Sequence, residues 1–353
     1  MMSSPLLSAP TLSWARWSDL PDPIGLKGVY AGVTGGQLIA AGGSNFPVPH
    51  AQGGAKTFAR AIYSLPVAAD PSAAWQSHAD ALPAGLAEGA SLTTEHGVVG
   101  VGGAGAVGPV ADAFLIEVKN EGRGLSVTSL PSLPEPSAMP AAAYLGGYVY
   151  VAGGENRGAV QSQFRRLNLA AARGQTPGAT WESLPTWPGP PRFGAVLATL
   201  RVGGRDCLVL AGGRIKSTPP VRQEDYLADV YGYDPEAGRW QRLADMPHRA
   251  LAAAVLRLDA GRLAVLGGSD GHSLDRMAEL GPKYRLPSRI MIYQAASNEW
   301  LVDAGSMPTG TAGTAVVEMP DGGILIGGEY SPGLRIPHVL RATLTRGSAP
   351  SAR

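Results

Sequence analysis

The sequence of 353 residues contains a single cysteine, Cys207. One cysteine excludes an intramolecular disulfide framework and any metal site built from several thiolates. Because Cys207 heads the apolar segment CLVLAGG, we expect it to be a small buried hydrophobic residue rather than a redox centre. The sequence also has no apolar run near the roughly 20 residues that a membrane-spanning helix requires. We therefore expect neither a disulfide scaffold nor a helical membrane protein.

An excess of charge of either sign is absent as well. The 29 Lys and Arg residues nearly balance the 28 Asp and Glu residues, for a formal net charge of +1. This balance gives no electrostatic reason to expect nucleic acid or an anionic membrane as a partner. The first residues, MMSSPLLSAPTLSWARW, lack the basic and apolar regions of a signal peptide. The expected compartment is the cytoplasm, or the periplasm if a leader has already been removed, and the oligomeric state is not predicted.

Familiar catalytic motifs are missing too: the sequence has no G-x-S-x-G elbow, no P-loop and no H-E-x-x-H pair. The six histidines include no i,i+4 pair. His272 has Asp270 and Asp275 nearby, but one histidine with two loop acids is a weak indication of a metal site. We predict no metal site, and a site assembled from distant segments is the less favoured alternative.

Glycine and proline, in contrast, are abundant, at 48 and 30 residues. A strand pattern ending in a double glycine occurs six times, at spacings of 51 to 60 residues. These segments are LIAAGG to Gly43, GVVGVGG to Gly103, VYVAGG to Gly154, CLVLAGG to Gly213, LAVLGG to Gly268 and GILIGG to Gly328. Another strand pattern precedes each segment, and a variable loop and a third strand follow it. The sequence therefore has a repeat of supersecondary size.

A fourth element, in which a Trp is followed by a short polar stretch and a Pro, completes four of the repeats. It reads WQSHADALP (75–83), WESLP (181–185), WQRLADMP (240–247) and WLVDAGSMP (300–308). Four strands at this period are typical of a β-propeller, and the double glycine with the late Trp indicates the kelch type. The predicted fold is an all-β, six-bladed kelch-type propeller. A pair of β-sandwiches is the alternative, which six units in register disfavour.

The last repeat lacks its fourth strand, whereas the segment LSWARWSDLP (12–21) carries the Trp-Leu-Pro pattern before the first repeat. We therefore predict that this N-terminal strand pairs with the C-terminal blade and closes the ring, leaving no open sheet edge. Residues 1–353 are then one domain, with a closing strand at about 12–21 and a tail at about 346–353.

Charged residues follow several double glycines, where the loops of a propeller surround its channel. Glu329 and Glu155 come directly after a double glycine, and Arg335 follows Glu329 by six residues. Arg192 and Arg249 open the innermost strands of their blades. Each of these residues taken alone is more often a solvated loop charge, but several arginines converging on one channel favour an anionic ligand.

Three segments resemble the N-acetylneuraminate epimerases, also called sialic acid mutarotases: GVYAGVTGGQLIAAGGSNFP (28–47), GGAKTFARAIYSL (53–65) and IGGEYSPGLR (326–335). The displaced first strand is similar to the cyclically permuted branch of that family. The resemblance implies that Glu329 is a catalytic base and that Arg335 binds the substrate. It also makes loop residues candidates for sugar binding, together with the two strand arginines: Asn45, Lys56, Glu155, Tyr284, Arg192 and Arg249.

The implied activity is the interconversion of the α and β anomers of N-acetylneuraminate by acid–base ring opening and closing. The implied partner is a small acidic sugar, and the reaction requires no cofactor. Tyr284, Lys56 or a water is the expected general acid, and burial at the channel mouth is expected to tune Glu329. Two alternatives stay open: a non-catalytic kelch module that binds a protein or a glycan, and a mutarotase of another sugar.

Overall fold

Each repeat folds into one four-stranded antiparallel sheet in the computed structural model, which describes residues 11–119, 124–302 and 304–345. The six sheets are the blades of a ring, and the innermost strands of neighbouring blades contact one another. The predicted all-β, six-bladed propeller is confirmed. The predicted tail at 346–353 lies outside the described residues.

The blades are numbered I to VI in chain order, and the strands of each are given from the channel outward. Blade I consists of Tyr30–Thr34, Gln37–Ala41, Ile62–Pro66 and Gln76–His78; blade II of Ala90–Thr94, Gly97–Val101, Ala113–Lys119 and Gly124–Leu130; blade III of Ala141–Leu145, Tyr148–Ala152, Phe164–Asn168 and Glu182–Ser183; blade IV of Val196–Val202, Arg205–Ala211, Val230–Asp234 and Arg239–Leu243; blade V of Ala254–Asp259, Arg262–Leu266, Ile290–Gln294 and Glu299–Leu301; and blade VI of Ala315–Met319, Gly322–Ile326, Val339–Thr345 and Thr11–Trp17.

The outermost strand of blade VI comes from the start of the described chain, as the sequence predicts. Thr11–Trp17 runs antiparallel to Val339–Thr345 in a register that pairs Thr11 with Thr345 and Trp17 with Val339. The side chains of this strand reach both neighbouring blades. Trp14 packs against the core that blades V and VI share, and Trp17 packs against the core of blades VI and I. The strand therefore joins the two ends of the ring.

The late Trp of four repeats lies between neighbouring blades. Each indole nitrogen donates a hydrogen bond to a backbone carbonyl 50 to 57 residues earlier, which is one blade back. The four pairs are Trp75 with Ser18, Trp181 with Pro131, Trp240 with Pro185 and Trp300 with Ala244. Each Trp thus fills space between blades and also satisfies a polar group there.

A closed ring of six backbone hydrogen bonds connects all six blades at one end of the channel. One residue just before each innermost strand takes part, and its N–H donates to the carbonyl of the corresponding residue in the preceding blade at 2.7–2.9 Å. The six residues, called the mouth ring below, are Gly28, Glu88, Met139, Gly194, Ala252 and Gly313. All six have left-handed backbone conformations, with φ between +49° and +67°.

Helices are few and short. Within the described ranges, the α-helices are Leu169–Arg173 and Met277–Leu280, and the 3₁₀ turns are His50–Gln52, Gln223–Asp225, Leu274–Arg276 and Gly281–Lys283. None of the helices in the described ranges has the length and apolar character that crossing a membrane requires. Cys207 is buried in the second strand of blade IV, which confirms its expected role as a small core residue.

Candidate functional site

The residues that follow the double glycines all lie on one face of the propeller. The first of them forms an antiparallel bridge with the residue just before the mouth ring in its own blade. In blade VI this bridge joins Glu329 to Ala312. The preceding Gly327 has φ +62°, and a Cβ there would lie 2.2 Å from the Leu26 carbonyl oxygen, so only glycine fits. The double glycine therefore delivers Glu329 to the channel mouth.

A small hairpin brings Glu329 and Arg335 together. Glu329–Ser331 pairs with Leu334–Arg335, and the register places Glu329 opposite Arg335. The chain turns at Gly333, whose φ is +77° and whose N–H donates to Glu329 Oε1 at 2.9 Å. Arg335 Nη1 lies 3.0 Å from Glu329 Oε2. The six-residue offset in the sequence is thus the span of one tight hairpin.

Lys27 of the first repeat completes the surroundings of Glu329. Its Nζ lies 2.8 Å from Glu329 Oε2, and only 16% of the Glu329 side chain is exposed. Burial by itself raises the pKa of Glu329, but the charges of Lys27 and Arg335 and the hydrogen bonds from Lys27 and Gly333 outweigh it and lower the pKa to about 2. Glu329 is therefore an ionised carboxylate at neutral pH.

A second carboxylate, Glu88 of the mouth ring, lies beside the first. Lys27 Nζ is 3.5 Å from Glu88 Oε1, and Lys56 Nζ is 3.2 Å from the same oxygen. Burial raises the pKa of Glu88, but the two lysines outweigh this and lower it. Burial likewise lowers the pKa of Lys27, and the charges of Glu329 and Glu88 outweigh this and raise it. With Arg335, three cations and two carboxylates form one network with a surplus of one positive charge.

Arg335 is buried but has unused hydrogen-bonding capacity. The residue is 7% exposed, and its guanidinium stacks on the Phe46 ring at 5.0 Å from the ring centroid. Within the part of the chain that the structure describes, Nε and Nη1 donate no hydrogen bond, because Nη1 is close enough to Glu329 for an ion pair but not aligned with it. Buried donors normally have acceptors. The site therefore fits a ligand with an anionic acceptor group.

Arg192 and Arg249 both form hydrogen bonds with residues of blade IV. The Arg192 side chain is fully buried, and its guanidinium donates two hydrogen bonds to Asp229, at 2.8 and 2.7 Å, and one to the Gly212 carbonyl. These contacts hold the inner edge of blade IV together. Arg249 is exposed, and its Nε donates to the Tyr226 carbonyl. Their predicted roles in sugar binding stay predictions without a contact to the Glu329 network.

The remaining candidates are distributed over the same face. Lys56 belongs to the Glu329 network through Glu88, whereas the other three make local contacts. Asn45 donates to Asp22, Glu155 accepts from the N–H of Gly158, and the buried Tyr284 donates to the His272 carbonyl.

Lys27 and Glu88 were not among the residues that the sequence indicated. Both lie at the entry to an innermost strand: Lys27 precedes the mouth-ring residue Gly28, and Glu88 occupies the mouth-ring position of the next repeat. Aligning the repeats at that position would have shown a charge where three other blades have glycine. The signal was present, but it lay before the strand rather than after the double glycine.

Two members of the network, Lys27 and Glu88, line a channel of about 570 Å³ along the propeller axis, whereas Glu329 and Arg335 are not among its lining residues. Lys27 and Glu88 lie at one end of its lining, and Arg257 and Glu318 lie at the other. Alanine, valine and leucine from the innermost strands form much of the wall between them. In the described ranges, no three His, Cys, Asp or Glu side chains converge in a way that would hold a metal ion.

No family model matches the chain. The chain is similar to a protein named N-acetylneuraminate epimerase of Yersinia enterocolitica, with 31% identity over an alignment of 229 residues that covers 58% of this chain and 55% of the relative. Proteins of the same name from Yersinia pestis (33% identity, 45% of each chain) and Brucella melitensis (25% identity, 62% of this chain and 60% of the relative) also match.

The chain thus spans about half the length of the curated relatives that it matches. The shared name agrees with the family that the segments around Asn45, Lys56 and Glu329 indicate. These similarities confirm the resemblance of the chain to the N-acetylneuraminate epimerases.

Proposed function

We propose that this protein is a kelch-type, single-domain mutarotase that interconverts the α and β anomers of N-acetylneuraminate. The names of its relatives support an epimerase of this sugar. The observation that carries the proposal is the pairing of an ionised, buried Glu329 with a buried Arg335 that has unused donors. Such a pair offers a base and an anion-binding group side by side, which is what acid–base chemistry next to a sugar carboxylate requires.

In this proposal the sugar carboxylate binds to Arg335. A guanidinium donates charge-assisted hydrogen bonds to a carboxylate, and Nε of Arg335 is a donor that has no acceptor among the described residues. The surplus of one positive charge in the network fits a ligand with one negative charge. The carboxylate and the anomeric hydroxyl are both bonded to C2 of the sugar. Binding of the carboxylate to Arg335 therefore places the anomeric hydroxyl near Glu329.

The proton steps then follow from the placement of the charged groups. Glu329 takes the proton of the anomeric hydroxyl while the bond from C2 to the ring oxygen breaks and that oxygen receives a proton. The open-chain ketone rotates about the C2–C3 bond, and the ring closes on the opposite face with the two proton transfers reversed. Atoms and charge balance without a cofactor, and a positioned acid–base group contributes about 10²–10⁴-fold.

Of the two side chains that the sequence offers as general acid, Lys56 suits the reaction better than Tyr284. Lys56 is in the same network as Glu329, and 34% of its side chain is exposed. Burial raises the pKa of Tyr284, and its hydroxyl is already bonded to the His272 carbonyl. A raised pKa makes proton donation harder.

Binding also adjusts the base. The positive charges of Lys27 and Arg335 hold the pKa of Glu329 at about 2 in the unliganded site. A bound carboxylate compensates part of that charge, and the pKa of Glu329 then rises toward its ordinary value. Glu329 thus becomes a stronger base when the substrate is in place.

The test is NMR of the α anomer of N-acetylneuraminate, freshly released from a glycoside, with and without protein. We expect the protein to accelerate equilibration of the anomers and Glu329→Gln to reduce the enzymatic rate by about 10²–10⁴-fold. Glu236→Gln, at an exposed position in blade IV, is the matched control and should leave the rate unchanged. If the wild-type protein binds the sugar without accelerating equilibration, it is a binding module and the proposal is wrong.

A further inference from the structure

The mouth ring contains one charged residue, Glu88. Three of its six members are glycine, and the others are Met139, Ala252 and Glu88. Glu88 has φ +60°, a left-handed conformation that side chains with a Cβ disfavour and glycine adopts freely. Blades I, IV and VI meet the same backbone requirement with glycine, so the ring needs no glutamate. Such strain persists where the side chain has a function.

The backbone of Glu88 is fixed on both sides by the mouth ring. Its N–H donates to the Gly28 carbonyl at 2.8 Å, and its carbonyl accepts from the Met139 N–H at 2.7 Å. The carboxylate is therefore held in a set position relative to the channel. This carboxylate forms ion pairs with two lysines of the first repeat. Lys27 lies just before the innermost strand of blade I, and Lys56 lies in the loop after the double glycine of that blade.

The neighbouring ring glycines make room for this arrangement. A Cβ on Gly28 would lie 2.9 Å from Glu88 Cγ, and a Cβ on Gly313 would lie 2.7 Å from Lys27 Cε. A Cβ on Gly28 would also meet the Glu88 backbone nitrogen at 2.6 Å, and one on Gly313 would force the flexible end of Lys27 to shift, so both glycines leave room for these neighbours. Three adjacent positions of the mouth ring, in blades VI, I and II, thus lie at the side chains of Lys27 and Glu88. They are Gly313, Gly28 and Glu88 itself.

We propose that Glu88 is a positioning residue of the sugar site, which holds the ammonium groups of Lys27 and Lys56 at the channel mouth toward the bound anion. This inference rests on the proposed function of the site. Glu88 itself binds no substrate. It sets the places of two cations, of which Lys27 contacts Glu329, and its strained backbone is retained for that purpose.

The experiment replaces Glu88 by the residue that the backbone prefers. Glu88→Gly relieves the left-handed strain and removes the carboxylate, and Ala252→Gly makes the matching backbone change in blade V. We expect both variants to fold with unfolding midpoints within a few degrees of each other. We also expect kcat/KM for mutarotation to fall about 100-fold in Glu88→Gly, mainly through KM, and to stay within about twofold of the wild type in Ala252→Gly.

A second variant and a second measurement separate positioning from folding. Glu88→Gln keeps the side-chain length but removes the charge, and we expect at least a tenfold loss in kcat/KM, as for a misplaced catalytic group.

In protein with ¹³C-labelled lysine, adding N-acetylneuraminate should shift the ε-carbon signals of Lys27 and Lys56 in the wild type. Both shifts should be reduced in Glu88→Gly and kept in Ala252→Gly.

The outcomes distinguish this inference from the proposed function. Lysine shifts without accelerated mutarotation would overturn the proposed function alone. Wild-type turnover in Glu88→Gly, or lysine shifts that Glu88→Gly leaves unchanged, would overturn the role of Glu88 alone. If the sugar shifts neither lysine in the wild type, the positioning role is wrong whatever the turnover.

Discussion

At the scale of the single residue, Glu329 shows how neighbours decide the chemistry of a carboxyl group. Partial burial was expected to tune this residue, and burial alone does raise its pKa. The structure adds Lys27, from the opposite end of the sequence, whose ammonium lies 2.8 Å away. Together with Arg335 it reverses the direction of the shift. The residue type and its spacing from Arg335 were legible in the sequence, whereas the protonation state depended on a contact between distant segments.

A first prediction concerns acid. Because the pKa of Glu329 is lowered to about 2 in the folded protein from an ordinary value of 4.5, its ionised form adds stability that is fully present above about pH 4.5 and is lost as the pH falls through about 2. That contribution is on the order of 3 kcal/mol. We expect the difference in unfolding free energy between wild type and Glu329→Gln to shrink between pH 5 and pH 3, measured by urea denaturation.

The exposed Glu236 provides the control for this titration, through the same comparison of wild type with Glu236→Gln. A difference for Glu329→Gln that is independent of pH over this range would show that the carboxylate is not held ionised by Lys27 and Arg335.

At the scale of the element, the hairpin Glu329–Ser331 with Leu334–Arg335 is the smallest unit that has the geometry of the site. The sequence predicts a loop here and gives the spacing of Glu329 and Arg335. It does not predict that the loop pairs with itself, because two short strands are below the length at which alternation is recognisable. The turn residue Gly333 serves both the backbone conformation and the Glu329 carboxylate.

A second prediction tests that double role. Gly333→Ala forces an alanine to φ +77° and brings its Cβ to 3.0 Å from His50 Cβ, so we expect a loss of about 1–2 kcal/mol in stability and about tenfold in kcat/KM. The matched control is Gly36→Ala, where φ is +73° and nothing lies within 4 Å of the added Cβ.

Thermal unfolding measures the stability of both variants, and anomer-exchange NMR measures their turnover. The two substitutions should cost similar stability, but only Gly333→Ala should lose turnover. Equal turnover in the two variants would mean that the hairpin turn does not set the position of Glu329.

At the scale of the whole molecule, two features close the ring: the strand Thr11–Trp17, and the mouth ring of backbone hydrogen bonds. The strand was predictable, because the last repeat lacks a fourth strand and the first residues carry its pattern. The mouth ring was not, since its members share a backbone conformation but no residue type. The positions of Gly28, Glu88 and Ala252 can be matched between the repeats, but only the structure shows that their backbone groups belong to one ring of hydrogen bonds.

A third prediction follows from closure. Removing residues 1–17 takes away the partner of Val339–Thr345 and the packing of Trp14 and Trp17 against the adjoining cores. We expect the unfolding midpoint to fall by at least on the order of 10 °C and the exposed strand edge to promote association. Differential scanning fluorimetry and size-exclusion chromatography measure both effects.

A synthetic peptide of residues 11–21 should restore part of the lost stability by adding back the missing strand, and a scrambled peptide of the same composition should not. An unchanged midpoint after truncation would show that blade VI is stable with three strands and that closure by the first strand is dispensable.

The sequence by itself determined the six-bladed architecture and the part of the site that contains Glu329 and Arg335. Double glycines, late tryptophans and a constant period are local signals, each required by a backbone conformation or by a gap between blades, and they fix six four-stranded units in register. The same register placed Glu329 and Arg335 on the loop face. Only the tertiary structure decided which charges meet there. Lys27 contacts both Glu329 and Glu88, and Glu88 contacts Lys56, because the ring brings blades VI, I and II together, and contacts between blades depend on closure rather than on spacing along the chain.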